Sequence, residues 1–515
     1  MGGMAPLFQR SAGVLLHPTS LPSRFGTGDL GPAVVAYLRW LAGAGVTWWQ
    51  VLPLHPPGSG RSPYSALSTF AGNELLISPG RLLEDGLAEP AWLDGAPSFA
   101  AEWVEFGAVE YWKDGLLREA FDRHRKQRRP DLVRDLEDFR HRHRGWLDDF
   151  ALFLALRRAH DGRAWWEWPR PLAFREPAAL AGWAAAHRDE IELVVFCQFL
   201  FFRQWEAVRA AARQEGVKVL GDVPIFVARD SADVWAHPEL FLLDDKRRPT
   251  VVGGVPPDYF SETGQLWGNP LYDWPAIAAD GYGWWTERLR HELTLADAVR
   301  LDHFRGFAAH WEVPAGDADA TGGRWVEGPG RAFFDAVSAA LGGLPFVAED
   351  LGEITPDVVD LRKGLGLPGM AILQFAFDPV DRSLFVPYKH DRDLVVYTGT
   401  HDNNTSVGWY LEDATDEECD LLRRYCGTDG REIHWDMIRL ALGSVADQAV
   451  IPHQDLAGLG SDCRMNTPGV AEGNWRFRVT PWMLSEEIQQ RLADLVWTYG
   501  RAPTEEKDRE TGVGE

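Results

Sequence analysis

Short apolar runs alternate along this chain with stretches whose apolar positions recur every three or four residues. That alternation is expected of buried parallel strands covered on the outside by amphipathic helices. The runs are Ala12–His17, Val46–Leu52, Val217–Val223, Ala298–His303, Pro345–Asp350, Met370–Phe375, Leu394–Thr400 and Gln448–Pro452. Eight is the number that closes an α/β fold of the (β/α)8 or TIM barrel type, and several runs end in polar residues, among them Asp222, Asp302, Glu349 and His401. A doubly wound open sheet is the competing arrangement, but no Gly-x-Gly-x-x-Gly follows the first strand, so dinucleotide chemistry lacks its phosphate loop.

The spacing of the runs predicts one catalytic barrel domain over 1–515 with two insertions. A largely helical one, 75–195, falls between the second and third strands and contains the charged stretch Trp103–His160. The other, 228–286, is rich in Pro, Gly and aromatic residues, as loops at strand C-terminal ends are where barrel enzymes build their sites. The chain left after the eighth strand is too short for a further β-sandwich domain of about 100 residues, and the polar tail Glu505–Glu515 is expected to fray.

Composition narrows the function. A length of 515 residues passes the limit for a minimal binding module, and 45% hydrophobic with 25% charged residues is the make-up of a soluble globular chain. Lys and Arg number 52 against 76 Asp and Glu, and the net charge of −24 repels phosphate backbones and anionic lipid, so neither nucleic acid nor membrane is expected as a partner. Cys197, Cys419, Cys426 and Cys463 fit neither a disulfide framework nor a zinc motif, MGGMAPLFQRSAG lacks the apolar core of a signal peptide, and Val194–Phe202 is too short to span a bilayer. A cytoplasmic protein is expected. The 24 Trp exceed ordinary needs; most should pack in the core, and a few could serve as flat platforms for ligands with apolar faces, sugars among them.

Three strand ends carry carboxylates: Arg300-Leu301-Asp302-His303, Val347-Ala348-Glu349-Asp350 and Thr400-His401-Asp402-Asn403. Each is separated from the next by enough chain for a strand, a helix and their loops, so all three can meet at one barrel mouth. Retaining glycosidases need one carboxylate as nucleophile and one carboxylic acid as proton donor across the scissile bond. Arg300, two residues before Asp302, shares its face of the strand and can keep that carboxylate ionised; Glu349 needs the opposite treatment, a raised pKa. A lone strand-end Asp commonly caps a helix, but three, each accompanied by His or Arg, are hard to explain as caps.

These residues sit in motifs that resemble the amylomaltases, or 4-α-glucanotransferases, a branch of the α-amylase clan. The landmarks are SAGVLLHPTSLPS, WWQVLPLHPPG, SPYSALSTFAGN, GDVPIFVARDSADVWAHPELF, GVPPDYFSETGQLWGNPLYDW, VRLDHFRGF, VAEDLG, YTGTHDNNT, RMNTPG and GNW, and they run from Ser11 to Pro481. The resemblance implies that Asp302 is the nucleophile, Glu349 the general acid/base and Asp402 the third carboxylate, which binds sugar hydroxyls and helps distort the ring. It implies that Asp222 and Arg300 support the subsite of the attacked sugar, that His303 and His401 donate hydrogen bonds to it, that Tyr64 is an aromatic platform under the donor, and that Asn466 is a further sugar contact. Asp258, Tyr259, Phe260, Gln265 and Trp267 are similar to the acceptor-side loop whose aromatics cover the site. α-1,4-Glucans and maltooligosaccharides are the implied donors and acceptors, with neither metal nor organic cofactor required. Two positions depart from the family pattern. Some relatives carry a Tyr of a remote glucan groove where this chain reads Gly58-Ser59-Gly60-Arg61, so that feature is not carried over, and many have Asp at Asn404.

A covalent glucosyl group on Asp302 can be taken by water or by a sugar hydroxyl, and the nucleophile positioned beside Glu349 wins. The segment Gly253–Asn269, with Tyr259 and Phe260 near its tip, reads as a lid that favours the sugar; a rigid surface loop is the alternative. An amylase-type hydrolase with the same residues and a silent glucan-binding scaffold are the rival functions, and the latter should have lost a carboxylate. The basic run Arg123–Arg129 reads as a solvated helix end, His141 and His143 as surface helix positions, and no P-loop supports phosphoryl transfer.

Overall fold

The computed structural model describes residues 7–257, 261–352, 354–378 and 383–503. At its centre are eight parallel strands: β1 (Ser11–Leu15), β2 (Trp48–Gln50), β3 (Lys218–Pro224), β4 (Ala298–Asp302), β5 (Phe346–Ala348), β6 (Gly369–Ile372), β7 (Leu394–Tyr397) and β8 (Gln448–Pro452). They pair in the order β6-β7-β8-β1-β2-β3-β4-β5. The circle closes where the Ala348 N–H in β5 donates to the carbonyl of Pro368, just ahead of β6, at 2.9 Å. This is a (β/α)8 barrel.

Every expected run overlaps one strand, because aliphatic residues buried on both faces are what a parallel barrel ladder requires. The differences lie mainly at the C-terminal ends. His17, His303, Glu349, Asp350 and residues 398–400 leave the ladder and turn out at the rim, and Leu373–Phe375 winds into a single 3-10 turn. Register then decides which side chains meet. Asp222 in β3 pairs with Arg300 in β4, and Leu301 in β4 with Ala348 in β5, so Asp302 and Glu349 follow from adjacent positions on neighbouring strands.

Residues 51–217 separate β2 from β3. They include helices Phe106–Gln127, Pro130–His143 and Leu147–Ala159, all packed on the long helix Arg188–Gln214, which also lies against β3. The apolar stretch Val194–Phe201 is buried in that packing, and no helix among the described residues is long and apolar enough to cross a membrane. The basic run ends the first of these helices, with Arg123, Arg125 and Arg129 paired to Glu89, Asp189 and Asp131, while His143 packs on Phe139 and Phe202.

One element was not foreseen. Val251–Val255 and Gln265–Pro270 pair as an antiparallel hairpin, joined by Ala309–Pro314 and Arg324–Glu327 from the β4 to β5 connection into a four-stranded sheet above the barrel. Its strands, VVGGV and QLWGNP, carry the Gly and Pro that mark loops in a sequence. At Gly254 a Cβ would stand 2.4 Å from the Gln265 carbonyl oxygen, so only glycine admits the hairpin partner so closely.

The opposite end of the barrel is tied by Arg501. Its fully buried guanidinium donates to the carbonyls of Ser11 (2.9 Å), Leu442 (2.7 Å), Ser444 and Ala446 (2.9 Å each). These bonds join the start of β1 to the turn that feeds β8.

Candidate active site

The rim above β3 and β4 is built around Arg300. Nη1 donates to both oxygens of Asp222, at 2.8 and 2.7 Å, and Nη2 donates to Asp302 Oδ1 at 2.6 Å. Asp222 is fully buried, whereas the Asp302 side chain keeps 29% of its surface exposed, so the outer carboxylate of this row is the one a ligand can reach. Burial works against the Arg300 charge, but Asp222 and Asp302 outweigh it and hold the guanidinium well above its ordinary value.

Glu349 lies in a different environment. Oε2 accepts the backbone N–H of His303 at 2.7 Å, and Oε1 that of Leu351 at 3.0 Å. Burial, then the charge of Asp302, pushes the Glu349 carboxyl up to about 8, against the pull of Arg300 and the two backbone donors. His303 adopts φ 51°, a left-handed conformation strained for any residue with a Cβ. This conformation delivers its N–H to Glu349. Its ring stands edge-on to Trp267 at 4.8 Å and 85°, burial lowers its pKa to about 4, and Nε2 has no protein partner. A neutral imidazole with a free buried nitrogen is suited to a ligand hydroxyl.

The third carboxylate sits on the loop after β7. Asp402 Oδ1 accepts from Asn466 Nδ2 at 2.6 Å and lies 3.3 Å from His401 Nε2, and 44% of its side chain is exposed. Tyr64 joins this corner to the other. Its hydroxyl donates to Asp222 Oδ2 at 2.8 Å, and its ring stacks on His401 at 4.9 Å and 11°. The structure therefore brings together Tyr64, Asp222, Arg300, Asp302, His303, Glu349, His401, Asp402 and Asn466. Trp267 reaches them through His303. Gln265 is exposed and accepts from Trp267 Nε1 at 3.1 Å. Asp258, Tyr259 and Phe260 lie outside the described residues.

Several supporting residues were not singled out in the sequence. Arg464 donates to the Asp402 carbonyl and, at 2.7 Å, to that of Asn466. Trp475 leans on both Tyr64 and His401. Both stand inside quoted motifs, RMN and GNW, which was the available signal. Asp455 had none. Buried after β8, it accepts from Thr398 Oγ1 (2.5 Å), Ser406 Oγ (2.8 Å) and Ser406 N–H (2.7 Å), clamping both ends of the loop that carries Asp402. Asn404 has a local reason: its Nδ2 donates to Asp413 Oδ2 and Ser461 Oγ, both at 3.0 Å, where an Asp would set two carboxylates together.

A family model described as 4-alpha-glucanotransferase matches residues 16–485. A 4-alpha-glucanotransferase of Synechocystis sp. is 47% identical over 96% of this chain and 99% of its own length. One of Thermus thermophilus is 48% identical over 94% and 97% respectively. The amylomaltase of Streptococcus agalactiae, solved in complex with acarbose, superposes with a TM-score of 0.93 at 33% identity, covering 96% of this chain and all of that one.

Proposed function

Because the chain belongs to the 4-alpha-glucanotransferase family and is an enzyme of that activity, we propose that Asp302, Glu349 and Asp402 carry its retaining transfer between α-1,4-glucans. The observation that supports this most is the opposite treatment of two carboxyls at neighbouring strand ends: Asp302 faces a fixed guanidinium, while Glu349 is buried with its pKa raised to about 8.

Asp302 attacks the anomeric carbon while Glu349 gives its proton to the departing glycosidic oxygen, leaving the donor fragment bonded to Asp302. Glu349, now ionised, takes the proton of an acceptor 4-hydroxyl as that oxygen displaces Asp302, and configuration is retained. Arg300 stays charged throughout and neutralises the carboxylate as it departs. Asp402, with Asn466 and His401, holds hydroxyls of the attacked sugar. His303 donates from the far side, and Tyr64 lies under the donor ring. Trp267 and the strands Val251–Val255 and Gln265–Pro270 cover the acceptor side and favour a sugar over water. The two excursions, 75–195 and 228–286, act as an outer helical buttress and as this cover.

The test follows maltotriose. Transfer yields glucose and longer maltooligosaccharides at a nearly constant number of reducing ends, whereas hydrolysis raises that number steadily. Asp302→Asn is nearly isosteric and should abolish turnover in a folded protein; substantial residual turnover would remove Asp302 from the role of nucleophile.

A further inference from the structure

A groove of about 490 Å³ opens beside the cleft, between residues 376–378, Val386 and Tyr388, which follow β6, and the helix Asp416–Cys426 that follows β7, so it shares the barrel's catalytic rim. Its floor is the buried ring of Phe377, 5.8 Å from Tyr425. Tyr425 is 39% and Tyr388 64% exposed, and Leu421 completes the apolar wall. On the same helix as Leu421 and Tyr425, Arg424 Nη2 lies 2.9 Å from Asp420 Oδ2. The helix is fixed by a capping box between Thr415 and Glu418 and by a bond from Arg423 to the Tyr410 hydroxyl at 2.9 Å. The groove is mechanically close to the cleft, since Gln374, three residues before Phe377, donates to the Asn404 carbonyl two residues past Asp402, at 2.8 Å.

We infer that this groove is a second binding site for an α-1,4-glucan chain, separate from the cleft around Asp302; the inference rests on the transferase reading above. Exposed tyrosine rings over a buried aromatic floor match the C–H faces of glucose units. The carboxylate and guanidinium pair offers acceptors and donors to their hydroxyls. Asp416 and Glu417 on the same helix repel phosphates and other anions, and among the described residues no group of three or more His, Cys, Asp or Glu is placed to hold a metal ion. A neutral, hydroxyl-rich chain fits both halves, and the enzyme's own substrate is one. A long glucan held here keeps further chain ends near the cleft and raises their effective concentration, an advantage that maltotriose is too short to use.

The experiment compares Tyr388→Ala, Tyr425→Ala and the double variant with the wild-type enzyme on maltotriose and on amylose. Tyr388 is exposed enough that its truncation leaves the fold intact, which keeps the test informative if the double variant unfolds. Expected are maltotriose kinetics unchanged within about twofold and an amylose KM raised about fivefold or more at similar kcat. In native gels containing amylose, with acarbose saturating the cleft, the wild type should be retarded and the variants less so. Unchanged amylose kinetics, equal losses on both substrates, or a wild type that amylose does not retard would each overturn the second site, the last leaving the groove to another occupant such as a peptide segment. Failure of the wild type to disproportionate maltotriose would instead overturn the transferase reading.

Discussion

Arg300 is bound to two carboxylates of unlike burial, so its loss should be felt twice. Arg300→Leu leaves Asp222 buried without its charged partner, which costs about 3–5 kcal/mol of stability, and removes the charge beside Asp302. We expect a clear fall in Tm together with loss of transfer; a variant of wild-type Tm would contradict the buried pair. Glu349 sets the pH dependence. A carboxyl raised to about 8 is protonated below that pH and loses its proton above it. The form needed for the first step is therefore present at neutral pH and is lost as pH rises, so kcat/KM should fall on the alkaline side with an apparent pKa near 8. A profile flat to pH 10 would rule out Glu349 as the acid. The three carboxylates were legible because each follows an apolar run. The strain at His303 was not, since a φ of 51° in a residue that is neither Gly nor Asn leaves no trace in the sequence.

Elements position these residues, and the loop between β7 and Ser406 shows how. Asp455 holds it at both ends, and misplacing a reacting group by about 1 Å can cost on the order of a hundredfold in rate. Asp455→Asn should lower kcat about tenfold or more with little change in KM, and Thr398→Val should do so more mildly. A large rise in KM at constant kcat would assign Asp455 to ground-state binding instead. The eight barrel strands were readable from their buried aliphatic runs, although the rim ends of six were read one to three residues too long. The hairpin that brings Trp267 to His303 was read as loop, because the glycine that lets Gly254 approach Gln265 is the same residue that argues against a strand. Asp455 escaped notice because its partners, Thr398 and Ser406, come close to it only through the pairing of β7 with β8.

On the scale of the molecule, a net charge of −24 surrounds a site whose substrate carries none. Electrostatic steering has nothing to act on, so kcat/KM for maltotriose should change by less than about twofold between low salt and 0.3 M NaCl. A steep salt dependence would point to a charged substrate. The acidic balance told against nucleic acid and lipid from the outset, but it carried no information about sugar. That came from local motifs whose spacing makes sense only once the strands are wound into a ring.

The knot of bonds around Arg501 has a consequence for biosynthesis. The guanidinium that fastens β1 to the turn before β8 lies 490 residues downstream of Ser11, and β8, which flanks β1, leaves the ribosome long after it. Until then the nascent chain carries β1 with one side unpaired. Closure of the barrel therefore waits until Arg501 has been made, and chains truncated before Arg501 should be products that chaperones retain rather than release.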